Sequence, residues 1–308
     1  MAKGRFKLPS INMLTMDQKL KSRIDEIIEK TTPIPQHISN LMKMLKDENV
    51  PLSRIAIELA KDPVLTADTI RMVNSAYYGF SQEIKSLEQA VVILGTKALL
   101  RLVVAAWAKR ISSQELKNFR TAQNELAIFS LVGAVASVKF GEISGIKFLS
   151  DIIFTSAALR SIGRVIMDKL GAAVINNILK EVFEKKVSFY TASKRILGFS
   201  HSEIGAYALR KWGIPEDLAS VVEYYQTPSE FQEDKTLSKV AACVHLGDIA
   251  AMQIGEGAPV DGMLYQVDKG AFSILGLDST ENIIEKVCEM ILPEVEKIKE
   301  TFQLQVGI

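Results

Sequence analysis

Histidine and cysteine, the side chains that most often hold metals or attack substrates, are scarce in this chain. There are three histidines and two cysteines among 308 residues. Cys243 and Cys288 lie far apart and form no C-x-x-C pair, so a reduced, cytoplasmic protein with both thiols in its core is expected. No G-x-S-x-G elbow is present, which removes the serine-hydrolase signature. The greasiest run, Ala98 to Ala108, is interrupted by Arg101 and flanked by Lys97 and Lys109. It falls short of the roughly 20 apolar residues of a membrane span and reads as a buried core helix. Charge of one sign is missing too: 37 basic against 36 acidic residues give a net charge of +1. No global field therefore draws in nucleic acid or an anionic membrane, and neither is expected as a partner. Lys3, Arg5 and Lys7 precede no apolar stretch, so residues 1–22 read as a flexible arm rather than a signal. The glycine-rich loop from Gly255 to Gly262 lacks both the G-x-G-x-x-G spacing and the P-loop lysine, and reads as a connector.

What is present is ordinary globular material, 48% hydrophobic and 24% charged, arranged with helical period. No alternating apolar-polar run bounded by hairpin turns occurs, so the fold class is all-α. Ile38, Leu41, Met42 and Leu45 share one helical face. Asp62-Pro63 is an N-cap followed by proline at the first helical position, where its missing N–H costs nothing. Ser86 and Gln89 spell a capping box ahead of a segment that stops at Gly95, and Thr96 opens a core helix to about Arg110. Further helices are predicted from Glu125 to Phe140, halting at Gly141, and from Asp151 to Leu170, halting at Gly171. Another spans Ala172 to about Lys185, and Ser200 with Glu203 caps one that ends at Gly213. Pro215 starts the next, and the last begins at Asp278 with Glu281. A polar stretch near Ser112 to Asn118 is the best boundary between an N-terminal lobe (23–114) and a C-terminal one (115–308).

Few residues are left for chemistry. His37 sits at a helix start beside Pro33 and Pro35. His245 and Asp248, three apart, share a helix face and could both touch a cation, though a core histidine with an aspartate bonded to a neighbouring helix is the better account of one such pair. A hydrolytic Mg, Mn or Fe site gathers about six ligands, more than this pair supplies. Tyr77-Tyr78 and Tyr224-Tyr225 could stack a base, but aromatics at helical spacing usually pack a core.

The stretch from Ile34 to Gly79, with its paired prolines, Asp62-Pro63 and Asn74-Ser75, resembles the N-terminal part of the HDOD family. The following "AVVILG" closing at Gly95 fits the same pattern. The HDOD domains are output domains related to the HD superfamily of metal-dependent phosphohydrolases. "HSEIGAYALRKWGIP" from His201, "VHLGDIA" from Val244 and "ILGLDSTENI" from Ile274 are similar to later parts of the same family. The resemblance implies a two-lobed helical bundle with an HD-like C-terminal lobe, the whole of 23–292 forming one HDOD domain.

The resemblance also implies where a metal centre would lie. Catalytic HD proteins supply a His from one helix, a His-Asp doublet from another and a final Asp. Here Phe129 falls at the first position, Arg160 and Ser161 at the doublet, and Tyr224-Tyr225 where a His pair is common, while His201 and Asp248 look like remnants. A guanidinium stays protonated and repels a divalent cation. The expectation is a domain without catalytic residues, metal or cofactor, acting in signal transduction through a kinase, response regulator or cyclic-dinucleotide enzyme. Two alternatives stand beside it. One is a sensor holding a nucleotide or anion near Arg160 and Tyr224. The other is a phosphohydrolase with an altered site built from His201, His245, Asp248 and a carboxylate such as Asp151 or Glu203.

Overall fold

Three helices are apolar on nearly every side, and such helices have to be surrounded by others. The computed structural model describes residues 18–31, 40, 41, 44, 50–74, 82–260, 264–278 and 282–303. Among them the architecture is helical, with one isolated antiparallel bridge between Leu116 and Thr121. The N-terminal elements are α1 (Gln18–Thr31), α2 (Leu52–Leu59), α3 (Pro63–Val73) and α4 (Leu87–Ser112). Next come α5 (Glu125–Ile143), α6 (Ser150–Leu159), α7 (Ile162–Asp168), α8 (Ala172–Lys185) and α9 (Phe189–Leu197). The chain continues through α10 (His201–Lys211), α11 (Glu216–Tyr224), α12 (Lys235–Ile254), α13 (Gly270–Leu275) and α14 (Ile283–Gln303).

The centre of the molecule is α5, packed against α12, α6, α14 and α4. Leu126, Phe129, Val132, Ala136 and Phe140 are all buried, as is α6 from Ile152 to Leu159 and nearly all of α12 from Val240 to Ala251. By length and composition α5 could cross a membrane, yet 67% of its most apolar window is covered by the rest of the protein. The run ending at Ala108 is buried as expected from Val103 onward.

Most helix signals in the sequence act as read. The Asp62 carboxylate accepts the Leu65 N–H at 2.9 Å ahead of α3. Ser200 and Glu203 form a complete capping box on α10. Gly95 breaks α4 with φ 71° and ψ 172°, a left-handed backbone that favours glycine. Gly171 and Gly213 likewise take positive φ beyond their helices.

Four expectations need correction. Helix α5 does not halt at Gly141 but runs to Ile143, because that glycine serves close packing against Ile153 instead of a C-cap. The segment from Asp151 to Leu170 is two helices, broken at Arg160–Ser161, where the chain tightens through Arg160 N–H to Ala157 O and Arg164 N–H to Ser161 O. Cys288 is half-buried, whereas Cys243 is in the core. Residues 18–22, read as arm, are the first turn and more of α1; residues 1–17 lie outside the described residues, as do His37, Tyr77, Tyr78 and Glu281. Helix α1 docks on later parts of the chain. Arg23 donates to Leu170 O, Tyr207 to Asp25, and the Trp212 indole to Ile28 O. The stretch after Ser112 is tied down as well, with Asn118 and Phe119 N–H groups on the Asp168 carboxylate.

The break after α6 lets α7 approach the start of α10 almost backbone to backbone. A Cβ on Gly163 would lie 1.7 Å from the His201 carbonyl oxygen and 3.1 Å from Gly205 N. Backbone cannot step aside as a side chain can, so Gly163→Ala is expected to cost at least the ~1–3 kcal/mol of an overpacked core. Urea denaturation checks this, and a variant as stable as the parent would contradict the packing.

Candidate functional site

Five helices converge where the resemblance puts a metal centre. Phe129 comes from α5, Arg160 and Ser161 from the turn after α6, and His201 from the first position of α10. Tyr224 and Tyr225 lie at the end of α11, and α12 contributes His245 and Asp248. The break at Arg160–Ser161 swings the Arg160 side chain inward between α5 and α12, and the whole residue has no exposure to water.

Its guanidinium is held on all sides. Nε donates to Asp248 Oδ1 at 2.5 Å, Nη1 donates to the Ser130 and Ala157 carbonyls at 2.8 Å each, and Nη2 donates to the Phe129 carbonyl at 3.0 Å. The Phe129 ring lies under it, 4.6 Å from the guanidinium carbon. Room for this comes from a glycine. A Cβ on Gly133 would sit 2.2 Å from Nη2 and 2.5 Å from the guanidinium carbon. Tyr265 also hydrogen-bonds the Asp248 carboxylate.

The two described histidines are buried and face other partners. His245 Nε2 accepts the Asp268 N–H at 2.8 Å, which leaves the ring proton on Nδ1, 3.4 Å from the Tyr265 hydroxyl. Burial lowers its pKa to about 4, against the smaller opposing pull of Asp248 and Asp268. His201 Nε2 is 2.8 Å from the Tyr225 hydroxyl, and its Nδ1 has no hydrogen-bond partner. Burial first, then the charges of Arg164 and Arg160, push the His201 pKa well below its usual value, so the ring is neutral. Burial also pushes the Tyr225 phenol upward.

The sequence-derived positions thus divide. Phe129, Arg160 and Asp248 are in direct contact, and His201 is joined to Tyr225 beside them. Ser161 is buried in the turn with its carbonyl on Arg164 N–H. Tyr224 points elsewhere and stacks on Phe231, with ring centroids 4.6 Å apart. Glu203 is used by the α10 cap and by Lys194 at 3.1 Å, and Asp151 Oδ1 accepts its neighbour's N–H. Gly133, Tyr265 and Arg164 were not picked out from sequence. Arg164 is buried with its guanidinium 4.8 Å over Phe189 and 5.6 Å over Phe119. Two arginines one turn apart in a run with no other charged residue, Ile152 to Met167, were the available signal.

These residues do not fit a divalent metal. A protonated guanidinium fills the space beside Asp248, the His245 lone pair is taken by a backbone N–H, and Phe129 offers no donor. Among the described residues no three His, Cys, Asp or Glu side chains gather in a way that would hold an ion.

The family model for the HDOD domain matches residues 32–228, well over half of the chain. The chain belongs to the HDOD family. The HDOD match ends before α12, so Asp248 lies beyond it, but solved structures resemble nearly the whole chain. An HDOD domain protein of unknown function from Geobacter sulfurreducens is 21% identical, covering 90% of this chain and 96% of that one at a TM-score of 0.61. A protein of Shewanella amazonensis, provisionally named a phosphohydrolase, is 23% identical, with 92% and 97% covered and a TM-score of 0.64. A protein of Marinobacter aquaeolei, provisionally named a signal transduction protein, is 14% identical over 95% of this chain and 67% of that one, at a TM-score of 0.61. At these identities the likeness establishes the all-helical fold. An uncharacterised protein of Treponema pallidum is 22% identical over 247 residues. The chain spans 46% of that curated relative's length.

Breaking the buried pair on one side leaves an uncompensated charge. Asp248→Asn is expected to cost about 3–5 kcal/mol, whereas replacing both partners together, Arg160→Met with Asp248→Leu, should cost much less. Chemical denaturation of the three proteins reads the difference. A mild loss in Asp248→Asn would contradict the ion-pair assignment.

Proposed function

We propose that this HDOD domain is a non-catalytic signal-transduction module that acts through contacts with a partner protein, its ancestral metal position given over to packing. The reading rests on Arg160. At the place where the resemblance puts the His-Asp doublet, the side chain present carries a permanent positive charge, bonded to Asp248, the aspartate that the resemblance implies as a remnant of the metal site. Hydrolysis of a phosphodiester by an HD-type centre needs a metal-activated water. Here Asp248 is spent on Arg160, the His245 lone pair on the Asp268 N–H and His201 Nε2 on the Tyr225 hydroxyl, so that of these candidate ligand atoms His201 Nδ1 alone is left without a partner.

The same geometry weighs against a ligand held between Arg160 and Tyr224. Four guanidinium N–H bonds are directed at protein oxygens, and the Tyr224 ring faces Phe231. A signalling role accords with the name given to the Marinobacter relative, and the partner is expected to be a signalling protein such as a kinase or response regulator. Two free cysteines are consistent with a reduced compartment.

The test is chemical. Protein purified without chelators should carry Mg, Mn and Fe far below stoichiometry. It should show no turnover of bis(p-nitrophenyl) phosphate or cyclic dinucleotides above a protein-free blank when each metal is added. Stoichiometric metal with turnover lost on chelation and restored by the ion would overturn the reading.

A further inference from the structure

The N-terminal motif residues have no part in the Arg160 site, yet they build a surface. Asn74 clamps the chain at Ile84 with two hydrogen bonds, accepting the Ile84 N–H at 2.8 Å and donating to the Ile84 carbonyl at 2.7 Å. Two residues later Ser86 caps α4 by accepting the Gln89 N–H, while the Gln89 side chain accepts the Lys85 N–H. Gly95 ends this first segment of α4. The result is a short, well-capped helix lying against a pinned extended segment, with a groove of about 410 Å³ between them.

The composition of that helix is the anomaly. Its core stripe is Leu87, Ala90 and Leu94, at the i, i+3, i+7 spacing of one buried face. Val92 and Ile93 fall outside the stripe, one turn after Glu88 and Gln89, on the face that normally carries polar residues. They are 73% and 52% exposed. Both line the groove together with Ile84, and so do Glu83 and Glu88, while no basic residue lines it among the described residues. Gln82 and Gln89 complete the lining, so the groove joins exposed apolar side chains to polar and acidic ones, the mix of a protein interface, and its carboxylates select the charge of what docks there.

We infer that this groove is the docking site for a partner protein, whose docking segment carries leucine or isoleucine anchors flanked by lysine or arginine. The inference rests on the reading of the domain as a module working through protein contacts. It assigns to Asn74, Ser86 and Gly95 the task of holding Val92 and Ile93 outward.

Two synthetic amphipathic peptides that share one Leu-Ile stripe, one flanked by lysines and the other by glutamates, are titrated against the full chain at low ionic strength. The lysine-flanked peptide should bind saturably and the glutamate-flanked one should not. Val92→Ser with Ile93→Ser should weaken binding roughly tenfold or more, and so should Glu83→Lys with Glu88→Gln. Both variants exchange exposed side chains, and far-UV circular dichroism confirms that each is folded. Equal binding of both peptides, binding that survives both double substitutions, or no binding of either peptide overturns the proposal. So does light scattering that shows a dimer of this chain dissolved by Val92→Ser with Ile93→Ser. A chain that binds neither peptide while remaining metal-free and inert would remove the groove and leave the non-catalytic reading standing.

Discussion

A cation sealed from water must find all its compensation inside the protein, and Arg160 organises its surroundings on those terms. The desolvation of a guanidinium and a carboxylate is repaid only when geometry is good and the remaining hydrogen bonds are made. Here the Asp248 carboxylate supplies the countercharge, and three main-chain carbonyls take further N–H groups. Those partners lie on α5, α6 and α12, which pack against one another at the centre, so one side chain ties the middle of the molecule together. Gly133 completes the arrangement by leaving the Phe129 carbonyl open to the guanidinium, where any larger residue would collide.

The same interaction carries the functional argument. In an HD-type centre a divalent ion would draw several helices together through its ligands. In this chain a cation also draws helices together at that place, but it is covalently part of the protein and brings no activated water. The neutral His201 and His245 are consistent with this, since the His245 lone pair is taken by the Asp268 N–H and His201 Nε2 meets the Tyr225 hydroxyl. The chain shares the all-helical scaffold of its relatives, and on the proposed reading the centre serves packing.

Much of this was readable from residues. The N-caps at Asp62, Ser86 and Ser200 act as read because capping is local, a side chain meeting an N–H two or three residues on, although Gln89 takes the Lys85 N–H and so leaves the expected box at Ser86 half made. The failures share a cause, which is that they depend on tertiary approach. Gly141 has the composition of a helix stop but lies inside α5, because a neighbouring side chain occupies the space beside it. The break at Arg160–Ser161 was invisible because Ile152 to Met167 is buried on every side, and such a run gives no amphipathic phase to interrupt. Phe129, Arg160 and Asp248 were identifiable through the family resemblance. Their contact was not, since Asp248 is 88 residues from its partner. The outward register of Val92 and Ile93 was within reach of periodicity alone, but only burial distinguishes a misplaced apolar pair from a core one.

A guanidinium stands at the place where the family resemblance puts a metal. A high-resolution crystal structure of protein soaked in manganese, with anomalous scattering collected, examines that place directly. The account predicts Arg160 ordered between Asp248 and the Phe129 carbonyl, with no anomalous peak near either. A manganese peak bound to Asp248, with the Arg160 side chain turned away, would contradict it.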